Sequence, residues 1–99
     1  MNTYWLSFRL EHNASYTRRY EALMATINEM SSTWWVEPSS FLVFSSGETI
    51  DTIAAKVKSV VDPKTDLVTI GMTDYKSARL VGKSDDPDIF ALIPFMKKV

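Results

Sequence analysis

The stretch Phe41–Met72, FLVFSSGETIDTIAAKVKSVVDPKTDLVTIGM, decides the fold. It opens on four β-forming residues, Phe41 to Phe44. Ser45 and Glu48 have the spacing of a capping box, in which each side chain satisfies a free amide of the first helical turn. Ile50, Ile53, Ala54, Val57, Val60 and Val61 then recur at helical spacing and make one apolar stripe. Asp62-Pro63 stops the helix, because proline disfavours helical geometry in the residue before it. Leu67 to Met72 restarts as a strand. The block therefore reads strand, helix, strand.

Working outward, Thr3 to Glu11 alternates. Tyr4, Leu6, Phe8 and Leu10 point one way, and Trp5, Ser7, Arg9 and Glu11 the other, which predicts a first strand with two distinct faces. The loop His12–Ser15 is rich in capping residues, and Asn13 or Ser15 caps the helix that follows. Tyr16, Tyr20, Leu23, Met24, Ile27 and Met30 share one face of that helix. Thr33 to Val36 is a second strand, broken by Glu37-Pro38-Ser39. The short gap to Phe41 predicts a hairpin.

The order β, α, β, β, α, β predicts an α+β fold: a ferredoxin-like βαββαβ sandwich, an antiparallel sheet with two helices on one face. Residues 1–82 form this domain. Thr73 to Gly82 adds a turn and a short fifth strand. Residues 83–99 are a charged linker, KSDDPD, followed by an apolar C-terminal segment, IFALIPFMKKV, that packs on the domain or on a partner.

Ninety-nine residues make one domain. A net charge of -1 gives no bulk argument for nucleic acid or membrane. The chain has no cysteine, which removes disulfides, thiolate nucleophiles and zinc–thiolate sites and fits a reducing compartment. Its single histidine, His12, cannot build a multi-histidine metal site. No apolar run approaches the ~20 residues of a membrane span, and the N-terminus lacks the pattern of a signal peptide. The expected location is the cytoplasm, and no cofactor is expected.

Several strings resemble one family. An Arg-Arg pair (Arg18, Arg19) lies on the first helix. A bulky strand, Trp34-Trp35-Val36, leads to Ser40–Phe44. A serine-rich cap starts a helix ending in Val61-Asp62, and Asp66-Leu67-Val68 opens the next strand, followed by Lys76–Gly82. Together, over residues 3 to 82, these resemble the superfamily of small ferredoxin-like proteins around the CRISPR-associated adaptation subunit, and within it the SinR-like and VapD-like relatives. The resemblance implies a homodimer, formed by open sheet faces and by C-terminal segments that reach across. Its nucleolytic members place a metal-binding aspartate at the end of strand one. Here that region reads Phe8-Arg9-Leu10-Glu11, with arginine at the matching position and Glu11 two residues on.

The candidate sites are these. Glu11, with its symmetry mate, is the candidate metal carboxylate, since Mg²⁺ takes hard oxygen ligands and keeps several waters. His12 is the candidate acid or base. Arg9, Arg18, Arg19, Lys76 and Arg79 are candidates for phosphate contacts, with Trp5 and Trp34 or Trp35 stacking on bases. Ser45-Ser46-Gly47 resembles a phosphate-cradling turn, but lacks the glycines and lysine of a P-loop and reads as a plain cap. Residues 89–99 are the candidate protein-binding segment. Trp5, Trp34, Trp35, Phe90 and Phe95 are the candidate interface residues. Among functions, a non-catalytic interaction module ranks above a metal-dependent nuclease of toxin type.

Overall fold

Alternation and helical periodicity resolve into nine elements among the described residues. In the computed structural model the described residues are all except 37, 75 and 86. Glu37 of the expected strand break, Tyr75 of the turn before the fifth strand and Asp86 of the linker lie outside them. The elements are β1 (Asn2–Arg9), α1 (Tyr16–Met30), β2 (Ser31–Trp35), β3 (Phe41–Ser46), α2 (Ile50–Val60), β4 (Leu67–Met72), β5 (Ala78–Gly82), α3 (Asp88–Leu92) and β6 (Met96–Lys98). The fold is α+β, and among the described residues no helix is long and apolar enough to cross a membrane.

The strands form one six-stranded mixed sheet in the order β2-β3-β1-β4-β5-β6. Every neighbouring pair is antiparallel except β5 and β6, which are parallel. The side chains of alternate strand residues fill one face. Tyr4, Leu6 and Phe8 of β1, Leu42 and Phe44 of β3, and Val68 and Ile70 of β4 pack against Leu23 and Ile27 of α1 and Ile53, Ala54 and Val57 of α2. Each large apolar side chain buried this way contributes up to ~1.5–3 kcal/mol. The buried Tyr4 phenol donates to the Glu48 carbonyl at 2.7 Å, so its polar end is satisfied.

The expected capping box is not the cap that forms. β3 runs on through Ser45 and Ser46, which pair with Thr3 and Asn2 of β1. Ser45 is thus held in the ladder. The N-cap of α2 is Thr49, whose hydroxyl accepts from the Thr52 amide at 3.1 Å. Likewise β1 stops at Arg9 rather than Glu11, because the Glu11 amide leaves the sheet to bond the Asp66 carboxylate. β2 begins directly at the end of α1: Ser31 is extended and its hydroxyl donates back to the Ile27 carbonyl at 2.6 Å.

The C-terminal segment folds back on its own chain. β6 pairs with β5, matching Ala78 with Met96 and Leu80 with Lys98. Ile89 and Ile93, in and just after α3, pack with Leu67 against a second small core of Ala78, Leu80 and Met96. This covers the β5 end of the face that α1 and α2 leave open.

Candidate functional site on the open sheet face

Two places gather the residues that the sequence singles out: the loop cluster beyond β1 and the open face of the sheet. At the first, Arg19 and Asp66 make an ion pair with both side chains buried, in which Arg19 Nη1 donates to both carboxylate oxygens, at 2.5 and 2.6 Å. The rest of the Arg19 fork donates to Ser15 Oγ, the Glu11 carbonyl and Asn13 Oδ1. Asp66 also accepts from the amides of Glu11 and Asp62, each at 2.8 Å. Burial pushes the Asp66 carboxyl up, but the Asp62 and Glu11 amides and the Arg19 guanidinium outweigh it and hold the group below the usual carboxylate range. The Asp66 carbonyl accepts from the Lys83 amide at 2.7 Å beside Gly82, whose positive φ (102°) and close approach to that carbonyl leave no room for a side chain. This cluster ties the β1–α1 loop, α1, the α2–β4 loop and the end of β5 together.

That geometry corrects the assignment of Arg19 to a nucleic-acid surface. A guanidinium whose donors are all committed inside the fold is not presented to phosphates. The other four basic candidates are not brought to one surface either. Arg9 is on the open face, with its guanidinium on the Lys83 carbonyl. Arg79 is on the helix side of β5, paired with Asp51 of α2 at 2.8 Å; that bond and the Arg79 charge lower the Asp51 pKa. Arg18 is exposed on α1, and Lys76 lies in the β4–β5 turn, at the other end of the sheet from Arg9.

Glu11 and His12 are both exposed just past β1. His12 stacks on Tyr16, ring centroids 4.3 Å apart. The carboxylate bonded to the Glu11 backbone, Asp66, has its oxygens taken by the network above. No cluster of three or more metal-ligating side chains forms among the described residues. The Ser45–Gly47 turn is occupied by local bonds, with Ser46 Oγ accepting from the Glu48 amide at 3.0 Å.

The open face is built by the odd members of β1 and their cross-strand partners. The register strings one apolar row across all six strands: Trp35, Val43, Trp5, Gly71, Ala78 and Met96. Trp5 lies flat over Gly71, and a Cβ at residue 71 would collide with its indole. The bare glycine and the large ring are therefore one complementary pair. Phe41 sits beside this row, with Trp35 edge-on to it at 6.5 Å. Ile89 and Ile93 close the β5 end of the row. On the β2–β3–β1 side a shallow groove stays open, lined by Thr3, Thr33, Trp34, Trp35, Val43 and Ser45.

The expected interface residues thus part company. Trp34 and Trp35 stand at the β2 edge, exposed, while Phe90 and Phe95 are exposed near the opposite edge, on α3 and before β6. Trp5 lies between and is half-buried by its own sheet. Three residues of these two places escaped sequence reasoning. Phe41 and Val43 were readable from the alternation of β3. Asp66 had only an indirect signal: Arg19 falls on the same helical stripe as Leu23, Ile27 and Met30, so a buried partner was required. Comparisons with family models, with curated proteins and with solved structures gave no match.

Proposed function

We propose that this protein is a small non-catalytic interaction module that assembles as a homodimer. In this reading the first four strands and two helices are the ferredoxin-like βαββαβ unit, related to the CRISPR-associated subunit superfamily that the sequence resembles, and the domain works in the reducing cytoplasm. One observation carries the reading. The unclosed half of the open face holds Trp35, Phe41 and Val43 side by side, continuous with Trp5. Aromatic residues grouped on a sheet surface are the usual anchors of protein contacts, where they bury large area at low entropic cost. A second copy is the partner because neither this exposed row nor the β2 edge on which it ends carries a charged residue, so identical surfaces meet there without like-charge repulsion.

Sedimentation of the full chain across a wide concentration range tests this. The expected mass is twice that of the 11.3 kDa chain, dissociating on dilution. A mass of one chain at every concentration would overturn the proposal.

A further inference from the structure

The two edges of the sheet are treated differently by the sequence. The β6 edge is three residues long and carries Lys97 and Lys98. Short length and lysine are the usual protections of a strand edge against pairing with another chain. The β2 edge is five residues, SSTWW, followed by Val36, and holds no charge. Trp34, Trp35 and Val36 are exposed at 38, 47 and 39%. The irregularity between Ser31 and Thr33 and the proline at residue 38 bracket this segment without protecting it.

The backbone of this edge is oriented by the ladder behind it. Phe8 donates to the Ser40 carbonyl, which fixes the even residues of β1 as bonded to β3. Thr73 donates to the Thr3 carbonyl, which fixes the odd ones as bonded to β4. In an antiparallel ladder the bonding direction alternates residue by residue. Leu42 and Phe44 therefore bond β1, and Val43 and Ser45 bond β2 through Trp35 and Thr33. The amide and carbonyl of Trp34 are left pointing outward.

We propose that β2 pairs antiparallel with β2 of a second copy, about a two-fold axis through Trp34. The two Trp34 residues then exchange both backbone hydrogen bonds, and Trp35 of each copy faces Thr33 of the other. The two sheets become one, and the apolar row that ends at Trp35 in each copy abuts the Thr33, Ser45 and Thr3 row of the other. This inference rests on the homodimer reading and says which surface makes the dimer; strand addition of this kind takes its affinity from main-chain bonds.

Charge substitutions on the axis test it. Trp34→Lys sets two like charges against each other across the two-fold and should raise the dimer Kd about tenfold or more. Trp34→Glu should do the same. An equimolar mixture of the two should recover the dimer, because only a residue on the axis meets its own counterpart. Far-UV circular dichroism checks that both variants fold. If either does not, amide exchange of the unmodified protein decides: the Trp34 amide should be protected at high concentration and lose that protection on dilution below the dimer Kd. A dimer indifferent to both charges, a mixture that stays monomeric, or a Trp34 amide that exchanges freely in the dimer would each overturn the edge pairing while leaving the homodimer intact. A chain monomeric at every concentration would overturn both.

Discussion

The two faces of the sheet are built from the same strands, often from adjacent residues, yet they differ in kind. The face under α1 and α2 is apolar, continuous and closed: Tyr4, Leu6, Leu42, Phe44, Val68 and Ile70 are all buried in one core with Ile53 and Val57 of α2. The other face is aromatic and polar, closed by Ile89 and Ile93 at one end and open at the other. The first face holds the fold. The second is a surface whose shape the fold dictates but whose side chains the fold barely needs. A strand's period of two makes this division possible, since each face can be written independently.

The contrast should show first on the closed face. Val57→Asp buries a carboxylate among aliphatic side chains, a penalty of several kcal/mol against a typical domain stability of ~5–15 kcal/mol. The expected outcome is loss of a cooperative melting transition, read by circular dichroism. The next effect comes from the loop cluster that pins the closed face at one end. Asp66→Asn leaves Arg19 buried without its counter-charge and should cost about 3–5 kcal/mol in denaturant unfolding.

The same carboxylate sets an acid limit. Its folded pKa lies below the unfolded value of ~3.9, so the stabilisation is fully present above about pH 4 and is lost as pH falls through the lower folded value. Unfolding measured between about pH 5 and 2 should show this decline, and Asp66→Asn should lack that share of it.

The open face should respond less. Gly71→Ala drives a methyl group into the Trp5 indole, and the flexible partner is a side chain at the surface, so the cost should be about 1–3 kcal/mol, with a shift in tryptophan fluorescence. Trp35→Ala should change monomer stability by no more than about 0.5 kcal/mol, because nearly half of that residue is already in water. If Trp35→Ala destabilised the monomer as much as a closed-face truncation such as Leu23→Ala, expected at about 2–5 kcal/mol, the division between the faces would fail.

Local regularity made much of this architecture legible. The stripe from Ile50 to Val60, the stop at Asp62-Pro63 and the alternation of β1 each depend on neighbours within one or two turns, so periodicity reports them directly. The C-terminal segment was readable as apolar but not as two elements. Three residues have too little pattern to announce a strand, and β6 exists because β5 offers it an edge. The cap of α2 was misplaced for a similar reason. Ser45 has the right chemistry to cap, and a ladder with β1 and β2 claims it first.

The sequence by itself determined which residues of β1 and of the two long helices face the core, and that the second face of β1 carries a tryptophan rather than being plainly polar, because those properties follow from side-chain chemistry and chain period. Only the tertiary structure decided that Arg19 is an internal strut while Arg18 is a surface charge, that Trp5 rests on Gly71, and that Trp34 turns its amide outward at an uncharged edge. Each of those facts depends on a partner far away in sequence: Asp66, Gly71 and the bonding order of β1 with β3. Pairing across such distances is set by the register of the whole sheet, which no local stretch of the chain contains.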